Sequence, residues 1–266
     1  MRKKTTAEHR YSVLEVNRSP YLDKARECVT LTLPYLLDQS ETNGTYEEKQ
    51  TPYQSVGGQL ARNLASKMTV TLFPANEPWF KLNISKRDMR ELLEAANEQE
   101  DFEADIQRAL GSAEREVLRE LDEMALRVDL FEVTEHVVVC GNVLLYIPED
   151  EQARTFAMDR YVIVRDSNGL TRELIIKESF SDANLPDEFR KYVTASDCKH
   201  GGLPDVEMYD SYTHIVRDEK TGGYDWYQEF DGNKVSSGKY KADEFPYIAL
   251  RGIKKSGEHY GRSLVE

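Results

Sequence analysis

Residues 128–148 read VDLFEVTEHVVVCGNVLLYIP and form the most apolar stretch of an otherwise polar chain. The first half carries apolar residues at spacings of three and four, as one face of a helix requires: Leu130, Phe131, Val133, Val137, Val138 and Cys140. Gly141-Asn142 then tolerates a left-handed C-cap, and the apolar run 143–147, closed by Pro148, is typical of a buried strand. This helix–glycine–strand unit is predicted to lie at the centre of the fold.

The chain before this unit has the pattern of helices. Residues 5–34 predict two helical pieces, interrupted at Asn17-Arg-Ser-Pro20, because proline removes a backbone donor. Thr51-Pro52 opens a second helix that ends at Phe73-Pro74, and 79–82 (Trp-Phe-Lys-Leu) predicts a short strand. A third helical region covers 85–126. Its predicted buried stripe is Phe102, Ile106, Ala109, Leu110, Ala113, Val117, Leu121 and Met124.

The chain after Pro148 has the pattern of strands. Short β-type runs occupy 160–166, 170–179, 206–217, 224–230 and 245–253, separated by glycine-containing turn signals. The prediction is an α+β fold, with an N-terminal helical layer followed by a mostly antiparallel sheet. We divide it into a helical part, residues 1–126, and a part with the central helix and the sheet, residues 127–266. The strand 143–147 is expected to join the later sheet.

Charge and composition exclude several classes of protein. The net charge of −13 argues against broad capture of nucleic acid, which needs a basic face, but suits a conduit that lets DNA pass without gripping it. No apolar run is long enough for a membrane span, and the basic start is followed by no secretory h-region. Three widely separated cysteines, Cys28, Cys140 and Cys198, predict reduced thiols.

No motif predicts catalysis, a cofactor or a metal. Gly57-Gly58 lies in a helical pattern without the lysine of a P-loop, which favours close helix packing. His136 and Cys140 share a helix face at i, i+4, yet no further ligand has matching spacing, so a core histidine and thiol are favoured. Cys198-Lys-His200 is a single pair of ligand-type residues and does not make a site.

Residues with the character of a protein surface stand out instead. Tyr53, Gln54 and Asn63 fit either an interface or ordinary helix surface, and the sequence alone does not choose between them. A second set consists of the aromatic residues Trp79, Phe80, Tyr224, Trp226, Tyr227 and Phe230. These rings could stack on nucleic-acid bases, but the acidic residues that flank them favour sheet packing or subunit contact.

A set of segments, in order along nearly the whole chain, resembles the portal or head-to-tail connector proteins of short-tailed, podovirus-type phages. The first half contributes Ser19-Pro-Tyr-Leu-Asp-Lys-Ala-Arg-Glu-Cys28, Thr32-Leu-Pro34, Gln50-Thr-Pro-Tyr-Gln-Ser-Val-Gly57, Arg62-Asn-Leu-Ala-Ser-Lys-Met68, Thr71-Leu-Phe-Pro74 and Trp79-Phe-Lys-Leu82. The second half contributes Val138-Val-Cys-Gly-Asn-Val-Leu-Leu-Tyr-Ile-Pro-Glu149, Tyr161-Val-Ile-Val-Arg-Asp166, Tyr212-Thr-His-Ile215, Pro246-Tyr-Ile248 and Gly257-Glu-His-Tyr-Gly-Arg-Ser263. No single motif is diagnostic, but the ordered set is specific.

The resemblance implies a ring-shaped homo-oligomer, usually of twelve subunits, at one capsid vertex. DNA enters and leaves through its channel, and the ring contacts scaffold and capsid proteins, the terminase motor and tail adaptor proteins. The implied locations are the virion and, during assembly, the host cytoplasm. The matching region is the outer wing, and the stem, clip and crown follow after the point where this chain stops. No catalytic residue, cofactor or metal is implied.

Two other classes of function stay open at this stage. One is a monomeric adaptor that binds a protein partner. The other is a small phage hydrolase using His136 or Cys140. Within the portal reading, the helix 53–73 and Trp79–Leu82 are the expected places of subunit packing, with Tyr53, Gln54, Asn63, Trp79 and Phe80 as candidate contacts.

Overall fold

The computed structural model describes residues 6–37, 52, 54–74, 78–95, 102–149, 152–181, 184–193 and 208–266. The helices in these ranges are α1 (Ala7–Leu31), α2 (Val56–Leu72), α3 (Lys86–Ala95), α4 (Phe102–Glu123), α5 (Leu126–Val139) and α6 (Asp187–Arg190). The strands are β1 (Asn142–Tyr146), β2 (Arg154–Phe156), β3 (Tyr161–Arg165), β4 (Thr171–Ser181), β5 (Met208–Arg217), β6 (Tyr224–Phe230), β7 (Asn233–Tyr240) and β8 (Tyr247–Arg251). The chain is therefore built from helices and antiparallel sheets, as predicted. No helix in the described ranges is long and apolar enough to cross a membrane.

The unit α5–Gly141–β1 lies in the core, as its hydrophobicity predicts. Gly141 has φ +72°, and an added Cβ would lie 2.3 Å from the carbonyl carbon of Arg262, so only glycine fits. The Asn142 amide donates to Gly261 O (2.8 Å), and its oxygen accepts from Gly261 N (2.7 Å). The C-terminal segment is thus held against the turn between α5 and β1.

The strands form two sheets rather than the single sheet expected from the sequence. One has three strands in the order β2-β1-β8, and the other has five in the order β3-β4-β5-β6-β7. All pairs are antiparallel. β1 joins a later strand, β8, but not the larger sheet. The sequence did not indicate β2, which has three residues, or β7, a half-exposed edge strand of mainly polar residues.

α1 is one continuous helix, so the predicted break at residues 17–20 is wrong. Pro20 lies inside it, at a cost that packing offsets. Arg18, only 2% exposed, donates hydrogen bonds from Nη1 to the Tyr11 hydroxyl and to the carbonyls of Met158, Asp159 and Tyr161. These contacts fix the part of the helix before Pro20 to the edge of the five-stranded sheet.

Within the described residues, the third helical region contains two helices, α3 and α4, and the stripe residues whose side chains are described are not buried. Ile106, Leu110 and Leu121 are half-buried, while Val117 is exposed. Leu121 alone among them contacts a buried cluster, the one around Leu126 and Val143. The pattern predicted the helical period correctly, but the described part of the chain supplies no surface that covers the rest of the stripe.

Candidate subunit interface

Helix α2 packs on α5 through its small residues. Ala61, Ala65 and Thr69 are its buried positions, and they recur at intervals of four. The Thr69 hydroxyl donates to Ala65 O (2.9 Å) and lies 3.2 Å from the hydroxyl of Thr134 on α5. Small side chains let the two helix backbones approach closely.

The start of α2 lies against the end of α1. An added Cβ on Gly57 would lie 3.0 Å from Leu31 O, and one on Gly58 would lie 2.9 Å from Thr32 O. The two glycines therefore permit a close helix contact, which confirms the sequence-based interpretation over a phosphate-binding loop.

Four large apolar residues of α2, spaced at multiples of four along the helix, are exposed to solvent, whereas Met68 of the same series is half-buried and packs against the core. We call this set the α2 stripe. Its members, with exposed fractions between 42% and 64%, are Val56, Leu60, Leu64 and Leu72. Asn63 is exposed beside them. A row of aliphatic side chains left in water is characteristic of a surface that another molecule covers.

Trp79 and Phe80 continue this surface beyond the end of α2. The Trp79 ring meets the rings of Phe73, which caps α2, and Phe80 edge to face, with both centroid distances 5.1 Å. The predicted strand at 79–82 is wrong, because the segment has no strand partner within the described residues and Leu82 N instead donates to a carboxylate of Glu114 on α4 (2.7 Å). Trp79 stays exposed, and Phe80 is half-buried.

The predicted contact residues that the structure describes are spread along the whole length of α2 and beyond both of its ends. We call the rings of Phe73, Trp79 and Phe80 the Trp79 cluster. Gln54 is exposed two residues before α2, and α2 is about 25 Å long, so Gln54 and the Trp79 cluster are far apart. Asn63 lies midway, and Tyr53 is outside the described residues. Sequence reasoning missed the α2 stripe as a surface. The sequence of α2 does contain a signal for this surface, since it has one series of small and one series of large residues, each with a period of four. The small residues mark the face that packs on α5, so most of the large residues are left to face outward.

We call the α2 stripe together with the Trp79 cluster the α2 surface. This surface has a polar border where α2 meets α1 and α5. Tyr35 donates to both carboxylate oxygens of the buried Glu135 (2.8 and 2.9 Å). Arg62 Nε lies 3.6 Å from Glu135 Oε1, and Arg62 donates to the Tyr35 hydroxyl (3.3 Å). Arg62 is mostly exposed, so it is available to a partner beside the apolar stripe.

His136 and Cys140, the residues of the enzyme hypothesis, are buried in the core. Burial lowers the pKa of His136 to about 4 and raises the pKa of the Cys140 thiol. A neutral thiol without solvent access is a poor nucleophile. Within the described ranges, no group of three or more metal-ligating side chains is close enough to hold an ion. Cys198 and His200 lie outside those ranges.

The later aromatic residues are packed within the sheets. Tyr224 stacks on Phe245 with a centroid distance of 3.8 Å, and Trp226 stacks on Tyr240 (5.9 Å). Their ring faces are occupied by each other, which favours sheet packing over a platform for bases.

A profile of the family described as bacteriophage head to tail connecting protein matches residues 4–266. The chain belongs to this connector family.

Relatives of the connector family extend the comparison. The portal protein of Escherichia phage T7 is 35% identical over 263 residues, which make up 96% of this chain and 47% of that protein. The portal protein of Enterobacteria phage T3 is 33% identical, with 98% and 48% of the two chains covered. The portal protein of Enterobacteria phage SP6 is 28% identical, with 94% and 47% covered. The chain spans about half the length of these relatives.

The resemblance read from the ordered segments is thus confirmed for the connector family. The comparisons assign no role to individual residues, so subunit contact by Tyr53, Gln54, Asn63, Trp79 and Phe80 stays a prediction.

Proposed function

We propose that this chain is the N-terminal, wing part of a phage portal subunit, a structural component rather than an enzyme. The observation that carries this proposal is the connector-family match over residues 4–266. The relatives that share about half their length with it are portal proteins. The burial of His136 and Cys140 supports the structural over the catalytic alternative.

The subunit would assemble into a ring of twelve copies at a capsid vertex, with double-stranded DNA passing through the centre. Its partners would be capsid and scaffold proteins, the terminase and tail adaptor proteins, in the virion and, during assembly, in the host cytoplasm. Within the chain, residues 1–126 and 127–266 would be the two parts of the wing. The net charge of −13 fits a role that does not grip DNA.

We place one side of the subunit contact on the α2 stripe and the Trp79 cluster. A ring is built from head-to-tail contacts, so each subunit needs two different surfaces that fit each other. The α2 stripe supplies an apolar surface about 25 Å long, and Trp79 and Arg62 supply the residue types that dominate binding energy at interfaces.

The exposed fractions set the size of the expected effect. Fully burying a leucine or valine side chain is worth about 1.5–3 kcal/mol. Leu60 still exposes 64% of its surface, so covering it would contribute about 1–2 kcal/mol at each contact. A glutamate in its place would also have to lose its hydration, which is a larger penalty.

The test is ring formation by the complete gene product, measured by sedimentation velocity and negative-stain electron microscopy. The double variant Leu60→Glu, Leu64→Glu is expected to sediment as monomers with unchanged helix content, and Trp79→Ala is expected to weaken the ring. The matched control is Leu170→Glu, which places the same charge at an exposed leucine in the turn between β3 and β4.

The outcomes separate the two parts of the proposal. If the unsubstituted protein is a monomer, the portal function is wrong and the adaptor class is favoured. If it forms rings that survive both the double substitution and Trp79→Ala, the portal function stands and the α2 surface is not the contact.

A further inference from the structure

A cavity of about 210 Å³ lies where the end of β6 meets the start of α1. Most of its lining residues carry a carboxylate or an aromatic ring, and Val193 and Gly232 complete it. The carboxylates belong to Glu8, Asp210, Glu229 and Asp231, and the rings to Tyr192, Tyr209, Tyr212 and Phe230. No lysine or arginine is among the lining residues that the structure describes. None of these lining residues belongs to α2 or to the Trp79 cluster.

The negative charge of this cavity is only partly balanced. Asp210 pairs with Lys177 (2.7 Å) and accepts from the Ser179 hydroxyl (2.6 Å). Glu8, Glu229 and Asp231 form no ion pair with any residue that the structure describes. Three of the lining carboxylates therefore have no cationic partner in the described part of the chain.

Glu229 provides the cavity with a buried carboxylate oxygen that lacks a hydrogen-bond donor among the described residues. The residue is 6% exposed, and its Oε2 accepts from Ala7 N (2.9 Å) at the first turn of α1. Its Oε1 is buried and has no hydrogen-bond partner among the described residues. The register of the β6–β7 pair shifts between Gln228 and Glu229, an irregularity that re-aims side chains. A buried carboxylate oxygen without a donor is costly, so a donor brought by a ligand would be bound favourably.

Tyr212 lies in the same negative field, and the aromatic rings supply a second means of recognition. The pKa of Tyr212 is raised by burial and by the negative charges of Asp210 and Glu8. Aromatic rings attract ammonium and guanidinium groups, most strongly when water is excluded. An acidic cavity walled by rings is therefore complementary to an organic cation.

A metal ion fits this site less well. Among the residues that the structure describes, no three or more acidic, histidine or cysteine side chains approach closely enough to coordinate one ion. The carboxylates are spread around the space, which suits a cation whose N–H donors or charge extend over several atoms.

We propose that this cavity binds a protonated amine or a guanidinium group, which donates a hydrogen bond to Glu229 Oε1 and packs against the aromatic lining. This ligand chemistry could come from a source outside the chain, such as a lysine or arginine of a partner or a free polyamine. It could also come from the basic residues Arg2, Lys3 and Lys4 of this chain, which precede Glu8 in sequence. The proposal does not depend on ring formation.

The test is calorimetric titration of the complete protein with N-acetyl-arginine amide and with spermidine. Glu229→Gln keeps an oxygen for Ala7 N but presents an amide donor in place of the bare oxygen. We expect affinity for both probes to fall about tenfold, which corresponds to about 1.4 kcal/mol. The matched control is Asp225→Asn, which removes one charge at the other end of β6, where Asp225 is exposed and paired with Lys239; its affinity is expected to be unchanged.

A second variant tests the same proposal in case Glu229→Gln fails to fold. Asp231→Asn removes a lining charge at a turn residue with φ +46°, a conformation that asparagine tolerates, and we expect affinity to fall about threefold, as for a screened charge. The proposal is overturned if neither variant weakens binding, or if the uncharged N-acetyl-norleucine amide binds equally well.

The source of the cation is distinguished by the triple variant Arg2→Ala, Lys3→Ala, Lys4→Ala. Tighter binding of the probes to this variant means that the chain's own basic residues compete for the cavity. Unchanged binding means that the cation comes from outside the chain. If neither probe binds the original protein or the triple variant, the cavity is not a cation site.

Discussion

Replacing Arg18 by leucine tests whether one buried guanidinium fixes α1 to the sheet. Its Nη1 lies 3.2 Å from Met158 O, 2.7 Å from Asp159 O and 3.0 Å from Tyr161 O. Its Nη2 pairs with Glu15 at 2.6 Å. Leucine fills part of the same space with apolar atoms but offers no donor, so these acceptors would lose the hydrogen bonds that Arg18 donates.

The size of the loss in stability depends on which of these acceptors can form a hydrogen bond with another donor once Arg18 is removed. Glu15 is 49% exposed and would be hydrated again at little cost. Asp159 O keeps the hydrogen bond from the Tyr11 hydroxyl (3.0 Å). The contacts to Met158 O and Tyr161 O are buried, and a buried polar group left without a partner costs about 1–3 kcal/mol. The free energy of unfolding should therefore fall by about 2–6 kcal/mol, and the melting midpoint by roughly 10 °C.

The assay is urea and thermal unfolding followed by circular dichroism. Lys24→Leu on the same helix is the control, because Lys24 is exposed and forms an ion pair with Glu27 at the surface; it should change stability by less than about 0.5 kcal/mol. A loss below about 1 kcal/mol for Arg18→Leu would refute the argument that this side chain fixes α1 to the sheet.

Two further predictions concern the dependence of stability on pH. Burial lowers the pKa of His136 from 6.5 to about 4, so stability present above pH 6.5 is lost as pH falls towards 4, by about 3 kcal/mol. His136→Gln should abolish this loss in urea unfolding at the two pH values, whereas His9→Gln, at an exposed position, should retain it. Burial raises the pKa of Glu173, but hydrogen bonds from Arg10 and His214 outweigh it and hold the pKa at about 2, below its usual 4.5. This stability is present above pH 4.5 and is lost as pH falls towards 2, again by about 3 kcal/mol; Glu173→Gln should show a loss smaller by that amount, and an equal loss in both proteins would contradict the assignment.

Prediction from sequence succeeded where one local signal decided the structure. The helix, glycine and strand of residues 126–146 were identified because their hydrophobic periods differ and a single glycine separates them. β6 was predicted at its observed bounds, since turn signals flank it on both sides.

Prediction failed where a distant contact outweighed the local signal. Proline and asparagine predict a break at residues 17–20, but the carbonyls that Arg18 reaches lie more than 100 residues away. The segment at Trp79 has strand propensity, yet it is held by Glu114 and by its own aromatic neighbours. Propensity is a weak preference that such tertiary contacts override.

The surfaces show the same division. The sequence of α2 contains a small and a large period-four series, but which of the two faces the protein depends on how closely α5 approaches, and the period alone does not decide this.

The sequence by itself determined the connector family, the order of helices before strands and the central hydrophobic unit, because these depend on composition and on neighbours along the chain. Only the tertiary structure decided that the strands divide into two sheets, that the large residues of α2 point into solvent, and that Glu229 meets α1 beside an acidic cavity. Each of these depends on which distant segments touch, and burial and hydrogen bonding between distant segments leave no periodic trace in the sequence.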